Sequence, residues 1–231
     1  MNNFDLDARL LSVASLVRRG AHFADVGTDH AYLPIHLLQK GQIRSAVASD
    51  IAKGPLASAR ANVLAAGYET EVTLLLTDGL LGMDRLSLTD IAICGMGGEL
   101  IVDILMAAPF VKDADIRLIL QPMSRAEVLR AYLASEGFSV LAERYSVAAG
   151  RAYLALAVAY TGVPYEIDPV RAVLGDPTLR APEDAAAYSA YLDAREREAL
   201  CRLRGKTDGG ISTAAEDALL LAIKQEREGL L

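Results

Sequence analysis

Cysteine is scarce: Cys94 and Cys201 are the only two in 231 residues, far apart and without a partner at metal-ligand spacing. That excludes a disulfide framework and a thiolate metal site, and it fits a reducing compartment such as the cytoplasm. A basic surplus is lacking too, since 14 basic residues face 17 acidic ones in 1–162 and 9 face 13 in 163–231, for a net charge of −7. A broad positive surface of the kind that supplies most non-specific nucleic-acid affinity is thereby excluded. Long apolar runs are missing as well. The opening MNNFDLDARLLSVASLV is broken by Asp and Arg, so it reads as neither a secretion signal nor a membrane span. What is present is 52% hydrophobic and 23% charged, enough for one sizeable core and a small appendage.

From 21 to 160, short β-branched or apolar runs alternate with amphipathic stretches of helical length, the pattern of a parallel sheet covered by helices. Strands are predicted over Ala21–Val26, Ser45–Asp50, Val72–Thr77, Ile91–Cys94 and Arg117–Gln121. Helices are predicted over Leu6–Val17, Leu33–Gln39, Leu56–Ala66, Glu99–Met106 and Arg125–Ser135, with Gly41, Gly67 and Gly137 at helix ends. Ser139–Tyr145 and Tyr153–Tyr160 are joined by a link too short for a helical crossover and must form an antiparallel hairpin. The expected fold is therefore α/β and Rossmann-like, a mostly parallel seven-stranded sheet ending in an antiparallel hairpin. That is the sheet of class I methyltransferases, whereas a dinucleotide dehydrogenase would continue with another βαβ unit. After Gly162 the texture changes to a Pro- and Asp-containing link, then two Ala- and Leu-rich helices near Glu183–Arg204 and Thr213–Glu228, separated by a turn at Gly205–Gly210. The chain thus divides into a catalytic domain, 1–162, and a linker with an antiparallel helical coiled-coil hairpin, 163–231.

The first strand runs into Asp25-Val26-Gly27-Thr28-Asp29-His30, where Rossmann-like folds place their cofactor loop. Gly27 supplies the tight turn. Asp29 and His30 stand where a dehydrogenase would have glycines approaching a pyrophosphate. A carboxylate there repels a diphosphate by about 4 kcal/mol at ~4 Å and an effective dielectric of about 20, but attracts the sulfonium and ammonium of S-adenosylmethionine. Asp25 or Asp29 suits the methionine end, Asp50 the ribose hydroxyls with Ile51 along the adenine, and Asp78-Gly79-Leu80 the adenine amino group and ring. Each Asp taken singly also reads as a turn or capping residue, and His30 as a packed one; three successive strand ends finishing in Asp favour the ligand reading.

The fourth strand ends in Cys94-Gly95-Met96-Gly97-Gly98, with Gly95 and Met96 on the cofactor side and Gly97 and Gly98 facing substrate. No Asn/Asp-Pro-Pro-aromatic run is present, so an endocyclic nitrogen fits better than an exocyclic amine. The plain alternative is that these glycines serve only the turn. Gln121 and Pro122 close the fifth strand, where Gln121 would meet a base edge or satisfy backbone. Arg9 would reach the methionine carboxylate or pair with a surface acid.

With those residues in view, the chain resembles the TrmK family of bacterial tRNA (adenine-N1)-methyltransferases. The resemblance runs over essentially the whole length and rests on Leu6-Asp7-Ala8-Arg9-Leu10, Asp25 through Pro34, Lys53-Gly54-Pro55-Leu56, Asp78-Gly79-Leu80, Gly95-Met96-Gly97-Gly98 and Leu120-Gln121-Pro122. It implies S-adenosyl-L-methionine as cofactor, methylation of adenine N1 at position 22 of tRNA, and a flipped-out target base. Asp29 is then expected to orient the base or take a proton from its 6-amino group, and Arg202 and Arg204 to contact phosphate. Met123 stands where some members carry Asn. A monomer with no metal and no membrane association is expected. A small-molecule methyltransferase of the same fold and a non-catalytic nucleotide- or RNA-binding protein are the competing readings.

Overall fold

The computed structural model describes residues 4–230. Its first half alternates helix and strand: α1 (Ala8–Leu16), β1 (Ala21–Val26), α2 (Tyr32–Gln39), β2 (Ile43–Asp50), α3 (Lys53–Ala66) and β3 (Val72–Leu76). Then follow β4 (Asp90–Gly97), α4 (Gly98–Met106), β5 (Arg117–Ser124), α5 (Ala126–Ser135), β6 (Phe138–Ala148) and β7 (Arg151–Tyr160). They build one seven-stranded sheet in the order β3-β2-β1-β4-β5-β7-β6. Strands β1 to β5 pair in parallel, and β7 is antiparallel to both β5 and β6. Only Ala149 and Gly150 link β6 to β7, both at positive φ (48° and 73°), the twist a two-residue hairpin turn demands.

Alternation along the strands splits the core in two. Ala24, Val26, Ile91, Ile93, Leu118 and Leu120 point to one face, under α4, α5 and the C-terminal helices. Phe23, Ala46, Ala92 and Ile119 point to the other, under α1, α2 and α3, through Val13, Ile35, Leu37 and Val63. Asp7 starts α1 by accepting from Leu10 N at 2.8 Å, which sets Arg9 near the carboxyl edge of the sheet. Gly67 ends α3 in the left-handed conformation; Gly41 and Gly137 come one residue after their helix caps, Lys40 and Glu136.

Beyond Gly162 the structure corrects two expectations. The link holds a further helix, α6 (Pro169–Leu174), started by Asp168 Oδ1 accepting from Val170 N and Arg171 N with proline in the first turn. The turn between the last helices is shorter than Gly205–Gly210, because α7 (Ala185–Asp208) runs through Gly205 before α8 (Ala214–Glu228) begins. One helical glycine costs about 1 kcal/mol relative to alanine. Packing on α8 offsets it, through the Lys206 Nζ to Glu216 Oε2 bond at 2.7 Å and the buried Ala199, Leu219 and Ile223. The hydrophobic core crosses the boundary at Gly162, since Leu174, Tyr188, Tyr191 and Leu192 join the cluster of Tyr145, Leu154 and Leu156. No described helix is long and apolar enough to cross a membrane, and no cluster of described residues has the makings of a metal site.

Candidate active site

Chain order reverses between β1 and β4, and the crevice outside their carboxyl ends is where ligands bind in open α/β sheets. A cavity of about 500 Å³ opens there, with Arg9, Asp25, Gly27, Thr28, Asp29, His30, Cys94 and Gly95 in its wall. The loop from β1 to α2 is pinned to β2 by Gly27 N and Thr28 N, both donating to Ser49 O at 2.9 Å. It turns through positive φ at Gly27 (75°), Asp29 (50°) and Ala31 (57°). Aspartate tolerates that region, but alanine adopts it only when the surroundings enforce it, so strain sits beside the cavity. Gly27 is favoured twice over, because a Cβ there would also lie 2.5 Å from Met96 Cε and displace it.

Asp25 is 5% exposed, and its Oδ2 accepts from Thr28 Oγ1 at 2.6 Å. Burial pushes its pKa up to about 6, while the Thr28 bond and the Arg9 charge pull it partly back. Cys94, beside it, has its thiol pushed up by burial and by the Asp25 charge, so it stays protonated and is no nucleophile. Asp29 differs from Asp25. Its side chain is 66% exposed at the rim, 3.4 Å from His30 Nε2, and the His30 ring stacks on Tyr32 at 5.1 Å between centroids. Arg9 enters the cavity wall with one Nη donating to Gln121 Oε1 at 3.0 Å and its Nε 3.8 Å from Asp7, so it also meets the surface acid that was its alternative.

Three of the expected contacts take other roles. Gln121 is fully buried: Oε1 accepts from Arg9 and from Gly95 N, each at 3.0 Å, and Nε2 donates to Pro122 O at 3.2 Å. Its amide is committed inside the protein and presents nothing to a base edge; it positions Arg9 and the β4 loop instead. Pro122 is buried within β5 opposite Met96 and offers no contact surface. Gly98 is a packing glycine, because a Cβ there would collide with the backbone carbonyl of Arg125. Leu80 is 3% exposed and packs in the core under α4, and it still lines a cavity of its own with Asp78 and Gly79.

The remaining expected residues are scattered more widely. Asp50 Oδ1 accepts from Ala52 N at 2.8 Å, a turn-forming bond ahead of α3, and Ile51 beside it is 69% exposed. Asp78 and Gly79 open with Leu100 and Ile104 onto a separate cavity of about 310 Å³. Met96 is half-buried over Gly27, and Gly97 stands 3.4 Å, measured from a Cβ position, from Ser124 Oγ. Arg202 and Arg204 lie exposed on α7 and line neither cavity. The structure also adds residues the sequence did not single out, namely Thr28, Tyr32 and Cys94. The three-residue spacing of Asp25 and Thr28 is a turn signal that points to the first of them; the others depend on how loops meet.

A family model described as a methyltransferase domain matches residues 6–156. The chain is 35% identical over 153 residues to the Bacillus subtilis tRNA (adenine(22)-N(1))-methyltransferase, an alignment that covers 66% of this chain and 64% of that enzyme, so it spans less than two thirds of that relative's length. A Streptococcus pneumoniae protein solved in complex with S-adenosyl-L-methionine superposes with a TM-score of 0.81 at 32% identity, covering 96% of this chain and 99% of that one. The crystal structure of the B. subtilis m1A22 tRNA methyltransferase TrmK superposes with a TM-score of 0.74 at 27% identity, over 99% and 98% of the two chains. With its seven-stranded sheet, its acidic crevice at the switch point and solved structures that match it over nearly the full length, the chain belongs to the methyltransferase-domain family and, within it, to the TrmK group.

Proposed function

We propose that the protein is an S-adenosylmethionine-dependent methyltransferase that modifies N1 of adenine 22 in tRNA, working as a cytoplasmic monomer. The observation that carries this is the mixed-charge cavity, in which a buried carboxyl, Asp25, and an anchored guanidinium, Arg9, share one wall with the rim acid Asp29. That set fits an amino-acid zwitterion beside a sulfonium and disfavours a diphosphate. When bound, S-adenosylmethionine supplies a methyl group made electrophilic by the positive sulfur.

Arg9, held by Gln121, takes the carboxylate of the methionine moiety, and Asp25 takes its ammonium. Gly27 and Gly95 keep side chains out of the approach, while Asp50, Ile51, Asp78, Gly79 and Leu80 serve the adenosine half. Adenine N1 carries its own lone pair, so no base is needed to start the attack, and the enzyme's share is positioning and accommodation of the cationic product. Asp29 Oδ accepts a hydrogen bond, and transiently the proton, from the 6-amino group as positive charge develops on the ring. Residues 1–162 hold the cofactor and the reacting base, and 163–231 address the body of the RNA, with Arg202 and Arg204 toward phosphate.

Incubation of unmodified tRNA with the protein and methyl-labelled cofactor, followed by nucleoside mass spectrometry and mapping of the labelled position, tests this. The expected product is 1-methyladenosine at position 22. Label in metabolites but not in tRNA would remove the RNA substrate, and failure to bind S-adenosylmethionine at all would remove the enzyme.

A further inference from the structure

A third cavity, of about 440 Å³, opens between the end of β5, the start of α5 and the middle of α7, and three arginines, Arg125, Arg195 and Arg202, line it against two glutamates, Glu127 and Glu198. We infer that this cavity is a phosphate subsite that grips the backbone of the RNA substrate next to the target nucleotide; the inference rests on the tRNA-methyltransferase reading above. Three observations support it. First, the cavity lies on the carboxyl edge of the sheet, where Ser124 in its wall pairs with Gly97 of the β4 loop and Arg125 O backs onto Gly98. A nucleotide entering at that loop brings its flanking backbone to these arginines.

Second, the guanidinium groups keep donors for an anion. Arg195 stands over the Tyr191 ring at 5.0 Å and gives one Nη to Glu198 at 2.9 Å, yet its Nε is buried with no hydrogen-bond partner among the described residues. A buried unpaired donor is costly, and a phosphate oxygen is a strong acceptor for it. Among the described residues, Arg202 has a single 3.7 Å ion pair, with Glu216, whose other oxygen is bonded to Lys206. Arg125 meets Glu99 and Glu127 at 3.3 Å in exposed pairs, which water and salt weaken. Third, α5 starts at this cavity with no side-chain cap, so the positive end of its dipole, with Arg125, counters Glu127 in its first turn and leaves the arginines of α7 to set the field. A chain of net charge −7 needs such a concentrated contact if it is to hold RNA at all.

The test is equilibrium binding of unmodified tRNA to the full chain over a range of salt concentrations, with wild type, R195Q/R202Q, R195K and the exposed α7 control R197Q. Thermal unfolding and S-adenosylmethionine affinity are measured alongside. The double variant should bind tRNA about tenfold more weakly, with the slope of log affinity against log salt flattened by about one, as expected for a lost phosphate contact. Its cofactor affinity should match wild type, R195K should retain most of the tRNA affinity, and R197Q should retain all of it. Unchanged affinity and slope in R195Q/R202Q would overturn the subsite while wild-type methylation of tRNA left the functional reading standing. Wild type that neither binds nor methylates tRNA would overturn both. Stabilisation of the protein by inorganic phosphate, with tRNA binding unaffected in the variants, would assign the cavity to a free anion and overturn it too.

Discussion

Asp25 sets stability against ligand binding. Its pKa in the fold, about 6, lies above the ordinary aspartate value of 3.8, so the folded state binds this proton more tightly than the unfolded chain does. The favourable contribution of the protonated form is therefore complete below about pH 4 and is lost as pH rises through 6. At pH 7.5 the buried carboxylate costs the apo protein on the order of 3 kcal/mol, because its pKa stands about 2 above the ordinary value and a tenfold change in proton affinity is worth about 1.4 kcal/mol. D25N should raise the apo melting temperature at pH 7.5, leave it nearly unchanged at pH 4, and weaken S-adenosylmethionine at least tenfold. For the wild type, cofactor affinity should fall toward tenfold per pH unit below 6. Calorimetric titration between pH 5 and 7.5 reads this directly, and an affinity that stays flat would break the link between Asp25 and the ammonium. Asp29, by contrast, is exposed at the rim with its carboxylate 3.4 Å from His30 Nε2, and the Thr28 hydroxyl bonds to Asp25. D29N should lower kcat by about a hundredfold, within the range for a positioned proton acceptor, with cofactor affinity preserved. Full turnover in single-turnover assays would reject that role.

Among the elements, α5, β6 and α6 are joined through a buried ion pair. Arg130 donates to Glu143 Oε1 from Nε at 3.1 Å and Nη2 at 2.8 Å, and to Ala172 O from Nη1 at 3.0 Å; Tyr145 donates to Glu143 Oε2 at 2.6 Å. Burial works against the Arg130 charge, but the Glu143 carboxylate outweighs it, so the guanidinium remains charged. Gly175, at φ 84°, passes so close to Glu143 that any Cβ would collide with the carboxylate. Breaking one partner leaves the other charge buried and alone, so E143A should cost about 3–5 kcal/mol by denaturant unfolding. An R130M/E143L double variant should recover much of that loss, and if it is no more stable than E143A the pair is not acting through desolvation. This network also shows why α6 was not legible. Its start signal, Asp168-Pro169, was present, but six residues carry too little periodicity to stand out from a Pro-rich link, and what holds the helix is Arg130, 42 residues away from Ala172 in sequence.

At the scale of the molecule, one hydrophobic cluster draws residues from both sides of Gly162. The texture change at Gly162 is real in the sequence, yet Tyr188, Tyr191 and Leu192 of α7 complete the cluster around Tyr145 and Leu156. A fragment ending at Gly162 would uncover that face of the sheet, and burial at roughly 25 cal/mol per Å² makes such exposure prohibitive for a marginally stable fold. The 1–162 fragment should therefore lack a cooperative thermal transition and bind S-adenosylmethionine poorly. A fragment that melts within a few degrees of the full chain would show that the helical hairpin is an accessory.

Strand identities, the hairpin at the sheet's end and the carboxylates at successive strand termini could all be read from the chain alone. Each is a local matter: alternation has period two, the short Ser146–Ala152 link leaves no room for a helical crossover and so requires antiparallel pairing, and a strand end is marked by where apolar residues stop. Local reasoning failed wherever a role depends on what a distant segment brings. Gln121 was equally consistent with a base contact until Arg9, 112 residues earlier, arrived to occupy its carbonyl oxygen. Gly98 was read as facing substrate until the backbone of Arg125 closed over it. The pattern of apolar and acidic residues determined the architecture and the sign of the crevice, because hydrophobicity and charge are properties of the residues themselves. Which polar groups remain free to act was decided only by tertiary packing, because a hydrogen-bonding group is available only if nothing in the fold has claimed it.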